Sequence, residues 1–458
     1  MRKQFFFAIV PGMVLLMCST ACKKTEGDYK AVLQDPELYH ASVKQLTDII
    51  VHDIFSPPVA SRIYVYPNIA AFEVLAQQYP EYVSLAGQVN GLNPVPRPEK
   101  DKPLDLHLSA IHAFLTVGKA LIFSEETMDE YREQLYSRIR KTDIPDAVFE
   151  QSLVYGEAVA AHILKWAGED NYKQTRSFPK YTIRPEAGFW KPTPPDYMEG
   201  IEPHWPKIRT LALDSCNQFP PASPHVFSME KDSPFYEETM EVYEMVNQLN
   251  EERTEIAKFW DCNPYVSHHH GHAMFAAKKI TPGGHWMGIT SIATRKAKAD
   301  MPATVEAYAR VAIALFDGFI SCWDEKWRSI VARPETVINE YVDEDWVPLL
   351  QTPPFPEYTS GHSVISNAAA AVLTDLFGSP FSFTDSTEVE YGLPVRSFDS
   401  FQAAGEEAAI SRLYAGIHYR RAVEEGTKQG KKVGEWVVGN VQTRQNAAIG
   451  VRQRELVE

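Results

Sequence analysis

The sequence predicts an all-α protein, and three observations carry that expectation. Apolar residues recur at three- and four-residue spacing over long stretches, strand-like alternation is scarce, and proline- or glycine-rich breaks divide the helical stretches. Residues 303–327 give the clearest case, with Val305, Tyr308, Val311, Ala312, Leu315, Phe316, Phe319, Ile320 and Trp323 on one face. Before it, helices are expected at 41–54 and 59–78, on either side of Pro57-Pro58. Three more follow: an apolar one at 104–123, one of mixed charge at 125–140, and one rich in Ala and Val at 147–167. From Asn171 to Ser233 the chain is dense in proline yet holds Phe189, Trp190, Trp205 and Phe219. Aromatics seek burial, so this stretch reads as an ordered wrapping segment rather than a free linker. Helices resume at 235–250 and 251–259, and after 303–327 they are expected at 363–377, 402–415 and 419–440. The predicted architecture is helical bundles packed into one unit. The expected divisions are a signal segment at 1–22, an N-terminal helical region with the proline-rich wrap at 23–235, and a catalytic helical region at 236–458.

The formal charge of the 458 residues is -15. That argues against nucleic acid or an anionic membrane surface as the main partner, and it makes a local cluster of Lys and Arg informative. At the N-terminus, Arg2 and Lys3 precede an apolar run from Phe5 to Met17, and Ser19-Thr20-Ala21 lead to Cys22. This is the pattern of an export signal. A run of small residues ending at a cysteine resembles a bacterial lipobox, although Ser19 stands where Leu is usual. The expectation is an exported protein, periplasmic or on the cell surface, tethered to a membrane only through a lipid on Cys22; simple signal cleavage is the alternative. No later stretch has the length and apolarity of a span. Cys216, Cys262 and Cys322 remain beyond the signal, enough for one disulfide at most, and no Cys-x-x-Cys pattern points to zinc or dithiol chemistry.

Three short blocks carry the chemistry. Lys326-Trp-Arg-Ser-Ile-Val-Ala-Arg333-Pro334 closes the long helix. Phe355-Pro356-Glu357-Tyr358-Thr359-Ser360-Gly361-His362-Ser363 opens another. Ser411-Arg412-Leu-Tyr-Ala-Gly-Ile-His418 completes the set. A tetrahedral oxyanion taken out of water needs compensating donors. Lys326, Arg333 and Arg412 offer charge-assisted hydrogen bonds. Ser360 adds a hydroxyl, Gly361 lets its backbone amide come close, and the following helix presents its N-terminus. Of the two histidines, one can attack or ligate the central atom and the other can move protons near neutral pH.

In this order and spacing the blocks resemble the signature of the superfamily of vanadium-dependent haloperoxidases and type 2 phosphatidic acid phosphatases. The resemblance implies that Lys326, Arg333, Arg412, Ser360 and Gly361 hold the oxyanion, that His362 is the acid-base group, and that His418 ligates vanadium axially or attacks phosphorus. Trp323, Phe355-Pro356, the segment Phe189-Trp190-Lys-Pro-Thr-Pro-Pro with Pro203-His204-Trp205, and Phe259-Trp260-Asp261 with Pro282-Gly283-Gly284-His285-Trp286 resemble the haloperoxidase branch. That branch implies vanadate as cofactor and hydrogen peroxide and halide as small-molecule substrates, with His362 taking a proton from the peroxide and Lys326 polarising it. A rival reading keeps the pocket but makes it an acid phosphatase, with phosphate in place of vanadate and a phosphohistidine at His418. A further rival is a phosphate-binding surface lipoprotein without catalysis.

One position departs from the family. An Asp four residues after the last histidine usually orients its ring; here Ala422 stands there, and Glu424 and Glu425 lack the same helical spacing. A backbone carbonyl is the expected substitute, which weakens the phosphatase reading more than oxyanion binding. Asp261 is a candidate partner for an active-site arginine. His268, His270 and His272 are candidate metal ligands, although a wall of the active-site mouth or an exposed polar loop is the preferred reading. His285 beside Trp286 reads as packing at a turn.

Overall fold

The computed structural model describes residues 27–264, 266–270, 273–276 and 278–445; side chains at 267–276 are outside the description. The export signal with Cys22, and the side chains of His268, His270 and His272, therefore lie outside the described residues. The chain is helical, as expected. In order, the helices are α1 (Tyr29–Gln34), α2 (Pro36–His52), α3 (Pro57–Leu75), α4 (Leu106–Lys119), α5 (Glu125–Ile139), α6 (Asp146–Gly168) and α7 (Tyr172–Thr175). After the wrapping segment come α8 (Pro234–Asn247), α9 (Glu251–Phe259), α10 (Pro282–Ala297), α11 (Met301–Ser329), α12 (Pro334–Tyr341), α13 (Gly361–Phe377), α14 (Phe401–Tyr414) and α15 (Arg420–Asn440). Two antiparallel hairpins are the only sheets among the described residues: β1 (Ser267–His270) with β2 (Ala273–Ala276), and β3 (Phe383–Asp385) with β4 (Arg396–Phe398). No described helix is long and apolar enough to cross a membrane.

The sequence signals act where the physics puts them. Pro57 and Pro58 do not merely break a helix; they open α3, where a missing N–H costs nothing. Asp35, Ser233, Asn250, Asp300 and Ser400 each cap a helix by accepting a backbone N–H. α11 is buried along almost its whole length. It packs on both α3 and α13. α13 is in turn clasped by α14 and α15. The approach of α15 is close: a Cβ at Gly430 would fall 2.1 Å from the Val364 carbonyl oxygen, and one at Gly434 would fall 2.6 Å from that of Ala368.

The short helices α1 and α7, the two hairpins, α10 and α12 were not foreseen. The segment holding His285 is the first turn of helix α10 rather than a turn, and α12 follows Arg333 directly. The proline-rich segment is ordered as expected, with Trp190 and Trp205 fully buried. Its role is specific. Trp190 N–H donates to Ile330 carbonyl (2.8 Å), Ala332 N–H donates to Gly188 carbonyl (2.9 Å), and Ile201 N–H donates to Pro354 carbonyl (3.0 Å). The wrap thereby fixes the two loops that carry Arg333 and Phe355.

Candidate active site

The structure brings all seven predicted residues together. Lys326 lies in the last turn of α11, which Ile330 ends in a left-handed conformation. Arg333 caps α12, Ser360 caps α13, Arg412 lies in the last turn of α14, and His418 sits in the bend before α15. Cys262, Trp323, Phe355, Gly361, His362, Arg412 and His418 line one small cavity, closed on its apolar side by Pro57, Pro353 and Phe319.

The three cations are buried and held by carbonyls. Lys326 Nζ donates to Pro356 (2.9 Å) and Glu357 (3.0 Å) carbonyls and lies 5.1 Å from the Phe355 ring centre. Arg333 Nε donates to Phe355 carbonyl (2.9 Å), and its Nη1 donates to Ile417 carbonyl (2.8 Å) and to His418 Nε2 (3.0 Å). Arg412 Nη1 donates to Trp260 carbonyl (3.0 Å). Burial lowers the pKa of Lys326 to about 7 and of Arg333 to about 9, and it lowers Arg412 as well. The proximity of positive charges adds to this for Lys326 and Arg333. A cluster of cations so destabilised by burial calls for an anion in its midst.

His418 is oriented by a carboxylate that the sequence reading did not assign. Its Nδ1 lies 2.8 Å from Glu357 Oε1, which also accepts from Tyr419 N–H (3.0 Å). With Oε1 accepting and Arg333 donating to Nε2, the consistent tautomer carries its proton on Nδ1 and its lone pair on Nε2. Burial raises Glu357 to about 8, while Arg333 and Lys326 pull it back. Burial, then Arg333 and Lys326, hold His418 well below the usual imidazole range, so the ring is neutral near pH 7. The backbone carbonyl expected to replace the family Asp is thus not needed. The Ala422 carbonyl instead accepts from Ser360 N–H (3.1 Å), tying α15 to the start of α13. A lone acidic residue inside the second, otherwise apolar and small-residue block was the available signal.

His362 hydrogen-bonds the Trp260 carbonyl and leaves Nε2 buried without a partner. Burial and Arg412 keep it well below the usual range and hence neutral. Ser360 Oγ accepts from Ser363 N–H at 3.4 Å, a weak cap. A Cβ at Gly361 would have only Trp323 within 4 Å, so the helix N-terminus opens on free space in the cavity. Asp261 does not pair directly with an arginine. Its Oδ2 pairs with Lys279, and its charge acts on Arg412 through space.

An oxyanion fits this donor set on the structure's own terms. Arg333 Nη2, Arg412 Nε and His362 Nε2 are all buried without a hydrogen-bond partner. A buried orphan costs about 1–3 kcal/mol, more when charged, and three in one cluster around a helix N-terminus mark a binding site.

Comparison with known proteins agrees. A crystal structure described as that of the first bacterial vanadium-dependent iodoperoxidase is 52% identical, covers 90% of this chain and 98% of its own, and superposes with a TM-score of 0.86. The chain belongs to the vanadium-dependent haloperoxidase family. Residues 306–447 match the family model described as the VCPO second helical-bundle domain. Two structures of bacterial vanadium-dependent chloroperoxidase, holo and apo, share the fold at lower identity. The holo form is 17% identical, with a TM-score of 0.64 and 92% of this chain and 96% of that one covered. The apo form is 16% identical, with a TM-score of 0.64 and coverage of 84% and 94%. The curated proteins gave no match.

Proposed function

We propose that this haloperoxidase uses vanadate to oxidise iodide with hydrogen peroxide, in the balance iodide + hydrogen peroxide + proton giving hypoiodous acid and water. The observation that carries the reading is the 52% identity, over 90% of the chain, to a vanadium-dependent iodoperoxidase. The cavity wall supports iodide over chloride. Trp323, Phe355, Phe319, Pro57 and Pro353 line it, and an apolar wall favours a large, weakly hydrated, easily oxidised anion.

His418 Nε2 would ligate vanadate, and Lys326, Arg333 and Arg412 with the Ser360–Gly361 turn would hold its oxygens. Bound vanadate supplies a Lewis-acidic centre that activates peroxide without a change of oxidation state. The chain's own residues do the rest. Glu357 fixes the His418 ring and its tautomer. His362 is neutral, with Nε2 free to accept a proton from peroxide. Lys326, beside Trp323 and Phe355, would bring positive charge to the peroxide. Export with lipidation at Cys22 remains part of the proposal and rests on the N-terminal sequence alone.

The test uses chelator-treated full-length protein divided in two. One portion receives vanadate and is assayed for peroxide-dependent oxidation of iodide, bromide and chloride. The other is assayed for release of p-nitrophenol from its phosphate ester. Iodide oxidation that requires vanadate, with bromide and chloride much slower, is the expected result. Equal bromide turnover would overturn the iodide assignment, and vanadate-inhibited phosphate release without halide oxidation would overturn the reading as a whole.

A further inference from the structure

Beside the active-site cavity, with Cys262 in its wall, lies a second polar cluster to which the proposed reaction assigns no step. Cys262, His285, Asp385 and Glu388 are all buried. His285 Nε2 lies 2.7 Å from Asp385 Oδ2, and Nδ1 lies 3.0 Å from Glu388 Oε1. Cys262 Sγ is 3.4 Å from His285 Nδ1 and 3.7 Å from Glu388 Oε1. We infer that Cys262, His285 and Glu388 form a site for one divalent cation of the zinc class, with Asp385 as the outer partner of His285.

Geometry carries the inference. A triangle with sides of 3.0, 3.4 and 3.7 Å has a point about 2 Å from each corner, and zinc binds nitrogen, oxygen and sulfur at about 2.0–2.3 Å. A thiolate, an imidazole and a carboxylate form a soft-to-borderline set suited to zinc and cobalt(II), unlike the all-oxygen sets that take magnesium or calcium. Asp385 on Nε2 leaves Nδ1 facing Sγ and Oε1, the carboxylate–histidine–metal arrangement that fixes ring and tautomer.

Glu388 also lines an open surface cavity, which gives an entry path. The absence of a Cys-x-x-Cys pattern does not oppose the site, because Cys262 precedes α10, His285 lies on it, and Glu388 follows β3.

The site has a reason to exist. His285 stacks on Trp260 with ring centres 4.5 Å apart. The Trp260 carbonyl accepts from Arg412 and His362. An ion at Cys262 would brace the segment that holds both.

The test strips the full-length chain with chelator, loads cobalt(II), and reads metal content and absorption. The histidines at 268, 269, 270 and 272 can take the same ion, so the sulfur-to-cobalt charge-transfer band is the deciding signal. We expect one tightly held cobalt with that band and displacement by zinc. Cys262→Ser should lose the band, and Asp385→Asn should weaken binding ~10- to 100-fold. Zinc should raise the melting temperature of the parent but not of Cys262→Ser. A parent protein without the band overturns the proposal whatever the variants do, and so does a band that survives in Cys262→Ser. None of these readouts depends on halide oxidation.

Discussion

Buried arginines occur in both halves of the molecule, and their partners differ. In the N-terminal half, Arg62 Nε donates to Asp170 Oδ2 (2.7 Å) and Nη2 donates to the Ala167 carbonyl (3.0 Å). Tyr66 Oη and Tyr172 N–H also donate to Asp170, each at 2.9 Å. Charge is neutralised and the network is closed. In the C-terminal half, Arg333 and Arg412 donate to carbonyls, with a neutral imidazole the one other acceptor for Arg333, and each keeps a donor unused. A buried cation closed by a carboxylate belongs to the fold. A buried cation left short of partners is waiting for an anion, and it stores instability that the anion relieves.

The sharpest way to break that comparison removes a side chain from the second cluster. His418→Ala should lower vanadate-dependent iodide oxidation at least ~10³-fold, beyond the 10- to 100-fold that loss of an outer partner costs. Arg333→Met should cost on the order of 10²–10³-fold in kcat. Its stability to urea should nevertheless hold or rise, because a well-packed apolar chain in place of a buried charge is often neutral or stabilising by about 1–4 kcal/mol. A large loss of stability in Arg333→Met would mean that this arginine is structural after all.

The reverse experiment is Asp170→Ala. Arg62 would then be a buried charge without its counter-ion, a loss of about 3–5 kcal/mol. The urea midpoint should drop sharply, while activity per folded molecule stays near that of the parent. An activity loss in the folded fraction would tie the N-terminal network to the reaction.

Glu357→Gln comes next, at ~10- to 100-fold in activity or vanadate affinity. The amide can still accept from Tyr419 N–H, so the fold should survive. What is lost is the carboxylate that fixes the His418 tautomer. If the variant matches the parent, the ring is held by Arg333 and packing alone.

These residues also show what one sequence discloses. The three blocks were legible because each is local: Lys326 to Arg333 is one helix end, Ser360 to His362 one helix start, and Arg412 to His418 one helix exit. The helices were legible for the same reason, since periodicity and caps act within a few residues. Glu357 was read only as a letter inside a motif, because its contact with His418 spans 61 residues and the family position at Ala422 drew attention instead. His285 was placed in a turn because Pro282-Gly283-Gly284 is a breaker pattern. The proline at the first helical position with Thr281 as cap overrides it. The partners Asp385 and Glu388 come from a distant hairpin and loop, which no local pattern reveals.

The smallest effect is one of pH, and it tests whether the second cluster is short of an anion. Burial first, with Arg333 adding to it, lowers Lys326 to about 7 in the free protein. A bound oxyanion favours the ammonium and raises that value. Below pH 7 the lysine is charged in both states and contributes no slope. Above about 7, binding must take up a proton, so affinity falls by up to about tenfold per pH unit until the bound-state value is reached. His362 and His418 lie well below 6.5 and stay neutral through this window, so they add no slope, while Glu357 at about 8 and Arg333 at about 9 titrate in both parent and variant. Vanadate affinity measured from about pH 6 to 9 in parent and Lys326→Met isolates the lysine, because the anion's own protonation cancels in the ratio. The ratio should be largest at the acid end and shrink toward unity as pH rises. A constant ratio would mean that Lys326 stays charged in the free protein, held by the Pro356 and Glu357 carbonyls more firmly than burial opposes. The second cluster would then resemble the first more closely than its orphaned donors suggest.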